Sequence, residues 1–374
     1  MPLLDLPVDI FLDSLLPRLD TSSLARLSET CRYLKQLCND DRLWRERVEA
    51  DYPRSIGQGG CGYKALYRRL KDVKIYTWGE NSDKRLGFND QDNVDRDTFM
   101  RQITTPRELR SLGGKGIVDI VAGGWSFHAL DRNGRVWMWG WMQPKHPFAR
   151  EGPVNHSLVR NPTLVRLPPD VHIQSIASGR SHAIALDQNG SVWHWANCWQ
   201  PNRVHISKTK ARVKQVTASW NHSIILTTAG ELYRVPFPGI RPITIDDQPV
   251  TIQHTQHSSA VSHHQYVSVH PCDRFVQIAG MEKWTLVISR FGRVFKLKTD
   301  KRDWFSTDPA SLFVELSEFK CTQSPIIGIS AQSRHFAVCT ASKVLLGSQD
   351  DAPDSKPTVM SIQGHEIYKI TFGE

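Results

Sequence analysis

The chain has 374 residues, 40% hydrophobic and 23% charged, which is too long for one small core and suits a small module beside a larger globular domain. Residues 1–72 carry 12 Lys/Arg against 11 Asp/Glu, leaving 35 basic and 27 acidic residues for the remainder, so the positive surplus lies after residue 72. That surplus favours acidic partners, nucleic acid or anionic surfaces, while seven cysteines without a C-x-x-C argue against a disulfide framework or zinc ribbon.

In chain order, Asp5 is placed to cap a first helix, with Pro7 pre-set for its first turn. Val8, Phe11, Leu12 and Leu15 recur at helical spacing, and Pro17 ends the run. Asp20, Thr21 and Ser22 offer a second cap, and Leu24, Leu27, Cys31 and Leu34 then share a face. Asp40 or Asp41 starts a further helix with Leu43, Trp44 and Val48, and Pro53 lies beyond its end. Three short helices thus own Leu6, Ile10, Phe11, Leu12, Leu15, Leu16, Leu19, Leu24, Leu27, Leu34, Leu37 and Leu43. Each such side chain contributes about 1.5–3 kcal/mol when fully buried. So small a bundle can cover only part of the set, and the rest is expected as an exposed apolar patch of the kind that marks partner surfaces. Packing against the following domain is the alternative.

Leu6-Pro7-Val8-Asp9-Ile10, continued through Leu15, Leu16, Leu19, Leu24, Leu27, Cys31, Arg32 and Leu37 to Leu43-Trp44, resembles an F-box over residues 3 to about 48. Tyr33 stands near a position where that family often has Trp, and keeps an aromatic there. The resemblance implies that Leu6, Pro7, Ile10, Leu15, Leu24, Leu27, Cys31, Leu43 and Trp44 bind a Skp-type adaptor, and through it a cullin. Residues 55–62 hold four Gly and read as a linker. Tyr63, Leu66, Tyr67 and Leu70 then restore a helical stripe, expected as a connecting helix that caps the next domain.

From about Ile75 a strand-turn-strand phrase recurs, at Ile117–Gly140, Ile173–Ala196, Val213–Val235, Phe275–Leu297 and, more weakly, Ile326–Gly347. The 12 Trp of the chain suit such β-rich structure. Matching positions Ile120, Ile176, Val216, Ile278 and Ile329 are 56, 40, 62 and 51 residues apart, a fixed phrase with variable inserts as propeller blades require. Asn133-Gly134 and Asn189-Gly190 are read as type I′ hairpin turns. The phrase resembles the repeat of the regulator of chromosome condensation family, whose members form propellers of typically seven blades. Ser126 departs from the family's His, Ser219 from its Gly and Val235 from its Trp-Gly. Ile75–Gly79 reads as the closing strand of one blade and Ile367–Glu374 as the opening strand of another, so a natural product that continues, or a shortened gene model, is expected. A ring left open would expose strand edges.

His182, His222 and His335 recur in phase and are expected to brace turns or pack, while Trp78, Trp139 and Trp195 are expected in the blade cores. His254, His257, His263, His264 and His270 crowd a polar insert and do not read as a metal site. Arg203, Lys208, Lys210, Arg212 and Lys214 form a basic run without the interleaved aromatics of a base-stacking surface. Gly113–Gly116 precedes a strand, not a helix, which disfavours a phosphate loop. Trp125, Arg180, Trp220, Lys283 and Arg334 lie in loops after the first strand of successive repeats, which gather on one propeller face. Trp and Arg are common interface anchors, so this face is the expected substrate-docking surface.

The fold expectation is an α+β multidomain chain. It comprises an all-α F-box module (1–54), a linker and connecting helix (55–72) and an all-β propeller (73–374) of about six to seven blades, one incomplete. The functional expectation is a non-catalytic substrate-recognition subunit of a Skp-cullin-F-box ubiquitin ligase, binding the adaptor and a protein substrate, with no cofactor, metal, nucleic acid or membrane. No apolar run approaches a span of about 18 residues, and no signal peptide opens the chain. A cytoplasmic or nuclear setting follows. The rival is a guanine-nucleotide exchange factor or chromatin-binding propeller.

Overall fold

A computed structural model describes residues 3–52, 62–88, 102–142, 158–196, 200–235, 243–247, 249–252, 272–298, 309–320 and 325–361. The chain divides into two compact units: Met1–Tyr76 with Glu108–Asp119, and Thr77–Arg107 with Ile120–Glu374. No helix among the described residues is long and apolar enough to cross a membrane. The Gly-rich stretch 55–61, the histidine-rich insert and Ile367–Glu374 lie outside the described residues.

The first unit is helical. α1 (Val8–Ile10) continues into a π segment, Phe11–Leu15, and a 3₁₀ turn, Leu16–Arg18. Its N-cap is Pro7, with no side-chain cap, so Asp5 does not play the expected role. α2 (Thr21–Ser28) is capped by Asp20, whose carboxylate accepts from Ser23 N at 2.8 Å. The run expected to carry Leu24 through Leu34 on one helix breaks in two. Ser28 and Thr30 hydroxyls donate to the Ala25 and Leu27 carbonyls at 2.6 and 2.8 Å, local bonds that compete with helix propagation. Cys31 adopts an extended backbone and caps α3 (Arg32–Leu37) by accepting from Leu34 N at 3.5 Å. α4 (Asp41–Asp51) follows its Asp40 cap. α5 (Tyr63–Lys71) packs on this bundle: Tyr67 lies edge-on to Trp44 and Tyr52 at 5.2 and 5.6 Å, and its hydroxyl donates to Asp51 Oδ2 at 2.5 Å. Burial and that bond push the Tyr67 phenol up to about 12.

The second unit is built of antiparallel meanders. The described residues form six sheets, in the orders β1-β2, β3-β4-β5-β6, β14-β10-β9-β8-β7, β11-β12-β13, β15-β16-β17-β18 and β19-β20-β21-β22. The strands are β1 (Tyr76–Glu80), β2 (Gln102–Glu108), β3 (Ile117–Ala122), β4 (Ser126–Asp131), β5 (Val136–Trp141), β6 (Leu158–Leu164), β7 (Ile173–Ser178), β8 (Ala183–Asp187), β9 (Val192–Trp195), β10 (Asn202–Ile206), β11 (Val213–Ala218), β12 (Ser223–Thr227), β13 (Leu232–Val235), β14 (Ile243–Ile245), β15 (Phe275–Gly280), β16 (Trp284–Ser289), β17 (Val294–Lys298), β18 (Phe313–Glu315), β19 (Ile326–Gln332), β20 (His335–Thr340), β21 (Lys343–Ser348) and β22 (Thr358–Ser361). β7, β11, β15 and β19 each slip register near their start, between Ile173 and Ser175, Val213 and Gln215, Phe275 and Gln277, and Ile326 and Gly328. A bulge at one place in each first strand repeats the same local twist from sheet to sheet.

The hairpin turns differ from the expected type I′. Gly134 and Gly190 have φ of 76° and 83°, but neither Asn133 nor Asn189 has positive φ. The turn is instead organised by the acid two residues before the Asn. Asp131 Oδ1 accepts from Asn133 N and Arg135 N at 2.9 and 3.0 Å. Asp187 Oδ1 repeats this with Asn189 N and Ser191 N at 2.9 and 2.7 Å, and its Oδ2 accepts from Trp193 Nε1 at 2.9 Å. Thr227 and Ser289 play the same part for Glu231 N and Arg293 N through hydroxyls, at 3.2 and 3.3 Å.

Cores form within and between sheets. Trp139 and Trp195 are fully buried as expected, and Phe127 stacks on Trp139 at 5.6 Å across β4 and β5. Trp78 is 56% exposed, contrary to expectation. Strand alternation turns Thr77 inward and Trp78 outward, and β1 pairs only with β2 among the described residues, so no neighbouring hairpin covers the indole. His128, His182 and His194 are also fully buried. His128 Nδ1 meets Ser178 Oγ at 2.7 Å, and Ser223 Oγ meets His182 Nε2 at 3.0 Å and His194 Nε2 at 3.3 Å, each linking one sheet to the next. His222 is half-buried and His335 exposed, so only His182 of that in-phase trio packs deeply.

Asp187→Ala removes the acceptor of three N–H groups, and a loss of about 1–3 kcal/mol is expected, read as a lower denaturation midpoint. Stability should also fall on acidification. Burial holds His128 and His182 down at about 3 and His194 well below its ordinary value. Neutral in the fold and protonated when unfolded, they support the native state fully above their unfolded pKa, about 6.5. That support is lost as pH falls from there towards 3. Urea midpoints measured from pH 7.5 downward should decline, and the decline should flatten in His128→Asn.

Candidate functional site

Each unit presents one candidate surface. In the first, Phe11, Leu12 and Leu16 turn inward with Leu24, Leu34, Leu37, Cys38, Leu43, Trp44, Val48 and Tyr52. Trp44 is anchored by its Nε1, which donates to Cys38 O at 2.8 Å, and Arg47 closes the end of the first helical run by donating to Leu16 O at 3.0 Å and to Leu19 O. Tyr33 lies edge-on to Phe11 at 6.1 Å. Packing inward leaves the other side of the run bare. Leu4, Val8, Ile10 and Leu15 are 51%, 44%, 43% and 37% exposed, and Pro7 is exposed beside them. Leu6, Leu27 and Cys31 are half-buried at the margin of the core.

The expected adaptor-binding residues therefore separate into two sets. Pro7, Ile10 and Leu15 are open to a partner, Leu6, Leu27 and Cys31 partly so, while Leu24, Leu43 and Trp44 are 1%, 0% and 4% exposed and hold the bundle together. Leu4 and Val8 join the open set, although helical spacing alone places Val8 with the inward Phe11 and Leu12. The π segment shifts the helical phase and turns Leu15 outward from the buried Leu12 and Leu16. Arg42 reaches Asp13 at 2.7 Å and Asp9 at 3.9 Å, but these pairs are solvent-exposed and contribute little.

In the second unit, the loops after the first strands are stitched to one another. Gly124 N donates to Gly179 O at 3.2 Å, Arg180 N to Trp220 O at 3.1 Å, Trp220 N to Met281 O at 3.3 Å, and Glu282 N to Ser333 O at 2.7 Å. The contact is close enough to forbid side chains. A Cβ at Gly280 would lie 1.9 Å from Ala218 O. The stitching brings three of the five expected docking residues into one stack. The Arg180 guanidinium lies 5.6 Å from the Trp125 ring and 5.0 Å from the Trp220 ring. Arg85, which no repeat position signalled, extends the stack at 4.8 Å on Trp125 and is braced by Ser82 O at 3.1 Å and Gly124 O at 3.3 Å.

The other two expected residues are not in that stack. Lys283 is exposed, its backbone N donating to Gln349 Oε1 at 3.2 Å, and Arg334 is paired with Asp350 at 2.5 Å. Nearby, Lys296 is buried, donates to Gln349 O and Asp351 O at 2.9 and 2.5 Å, and is lowered from its ordinary pKa by burial. Of the basic run, Lys208 and Lys210 are exposed, Arg203 donates to Ser191 Oγ at 3.1 Å and Lys214 to Val276 O at 2.8 Å. No cluster of three His, Cys, Asp or Glu among the described residues is placed to hold a metal ion.

Comparison with known proteins agrees with both halves of this geometry. Residues 3–49 match the F-box-like family model, and residues 74–130 and 173–195 match models of the regulator of chromosome condensation (RCC1) repeat. The chain is 28% identical over 195 residues to the ultraviolet-B receptor UVR8 of Arabidopsis thaliana, covering 48% of this chain and 41% of that one. It is 27% identical over 194 residues to the E3 ubiquitin-protein ligase HERC2 of Homo sapiens, covering 48% of this chain and 4% of that one. The chain thus spans less than half the length of these relatives. Human WBSCR16 superposes with a TM-score of 0.52 at 15% identity, over 77% of this chain and 79% of that structure. The chain is an F-box-like module followed by a propeller of regulator of chromosome condensation repeats.

Proposed function

We propose that the chain is the substrate-recognition subunit of a Skp-cullin-F-box ubiquitin ligase. In this reading residues 1–54 hold a Skp-type adaptor, residues 55–72 connect, and residues 73–374 hold the protein to be ubiquitinated, in the cytosol or nucleus. The observation that carries it is the bare apolar side of the first helical run. Four of the thirteen strongly exposed large apolar side chains among the described residues fall between Leu4 and Leu15, within the stretch that matches the F-box-like model. Covering them removes apolar surface from water at about 25 cal/mol per Å². A relative described as an E3 ubiquitin-protein ligase supports the same setting.

No catalytic group is required of this chain. Its contribution is positional: target and charged conjugating enzyme held on one assembly raise the local concentration of acceptor lysines. The rival, nucleotide exchange on a small GTPase, requires accelerated nucleotide release by the chain without an adaptor.

Ile10→Asp and Pro7→Ala are expected to weaken pull-down of the adaptor, the charge at Ile10 by about tenfold or more, with the melting temperature unchanged because both side chains are exposed. Adaptor capture by wild type no better than by Ile10→Asp would refute the ligase role. For the propeller, Trp125→Ala with Trp220→Ala should abolish co-purification of targets from cells with the ligase stalled, while leaving the adaptor bound. Retention of every partner by that folded double variant would remove this face as the docking surface.

A further inference from the structure

Among the cations of the docking face, Arg180 is in a singular state. Its guanidinium is clamped between two indole faces, yet it is exposed, and among the described residues it donates to no carboxylate, carbonyl or hydroxyl. Its neighbours are committed: Arg334 to Asp350, and Arg85 to Ser82 and Gly124. The nearby carboxylate of Glu282 is met by Gln349 Nε2 at 3.3 Å. We propose that Arg180 receives a carboxylate from an acidic, Asp/Glu-rich segment of the target protein, a proposal that rests on the reading of this face as the docking surface.

The geometry favours this ligand on three grounds. A guanidinium offers a planar fork of N–H donors that matches a carboxylate bidentately. The two Trp rings hold that fork in place before binding, so little side-chain freedom is lost when the pair forms. The surplus of 35 basic over 27 acidic residues after residue 72 attracts an acidic segment at longer range.

Two features disfavour nucleic acid or a phosphorylated segment. Base stacking needs open aromatic faces, whereas Trp125 carries Arg85 and Arg180 against its ring and Trp220 carries Arg180. A phosphate nest needs free backbone N–H groups, whereas those of Gly124, Arg180 and Trp220 are spent on the carbonyls of neighbouring loops.

The test is fluorescence anisotropy of the full chain with a short fluorescein-labelled Asp/Glu-rich peptide. Controls are a Lys-rich peptide of equal length, a phosphoserine peptide lacking Asp and Glu, and an oligothymidine. The acidic peptide should bind best and weaken with salt. Its affinity should fall by about tenfold for Arg180→Ala and nearly as much for Arg180→Lys, which keeps the charge but loses the fork, while Arg334→Ala has little effect. Acidic binding that is no tighter than that of the Lys-rich, phosphoserine or oligothymidine probe, or is unmoved by Arg180→Ala, overturns the proposal. If target capture needs Trp125 and Trp220 but acidic binding fails, the docking face stands and the acidic ligand falls. If acidic binding depends on Arg180 but capture ignores those Trp residues, the carboxylate site stands and the docking role falls.

Discussion

The second unit depends on direct backbone contact between consecutive sheets. The loops after β3, β7, β11 and β15 each donate an N–H group to a carbonyl of the next loop, and the approach at Gly280 and Ala218 leaves no room for a Cβ. Side chains repeat the link deeper in. Gln215 uses both ends of its amide on Ile278, at 2.7 and 3.0 Å, and Thr217 Oγ1 accepts from Gly280 N at 2.9 Å. Through these contacts residues about forty to fifty-five positions apart in the chain, such as Trp125, Arg180 and Trp220, arrive within cation–π distance. The candidate face is therefore a product of sheet-to-sheet stitching, not of any one loop's conformation.

The helical unit obeys the opposite constraint. Its core is fully used by Phe11, Leu12, Leu16, Leu24, Leu34, Leu37, Leu43, Trp44 and Val48, with α5 adding Tyr67. What it cannot use, it exposes in one short stretch. A bundle of this size cannot bury every apolar residue it carries, so surplus and partner surface are the same side chains seen twice.

Much of this was legible because both period and punctuation are written in the residues. The Gly134 and Gly190 turns, the alternating strands around them and the Leu-Pro-Val-Asp-Ile opening are local signals, and the six sheets and the helical run lie where those signals are. Partnership was less legible. Trp78 shares the phase of Trp139 and Trp195, yet strand alternation turns it outward, and among the described residues β1 pairs only with β2, so no hairpin covers the indole. Cys31 fits a helical stripe by spacing, but its sulfur caps a new helix once Ser28 and Thr30 draw off the carbonyls behind it. Arg85 lies outside the five strand-turn-strand copies that the sequence spells out, so only the fold puts it on Trp125. The adaptor set was read as one list, whereas packing divides it between core and surface.

One departure from the meander joins two sheets into a single mechanical element. After completing β13 the chain does not stay with its own sheet. β14 runs parallel beside β10, pairing Val204 with Ile243 and Ile206 with Ile245, before Val250 bridges back to Leu232. Peeling either sheet from its neighbour must therefore strip hydrogen bonds belonging to the other. Amides of β10 and β13 are expected to exchange with solvent as one cooperative block, and a protease cut between Ile245 and Val250 is expected to loosen both sheets together.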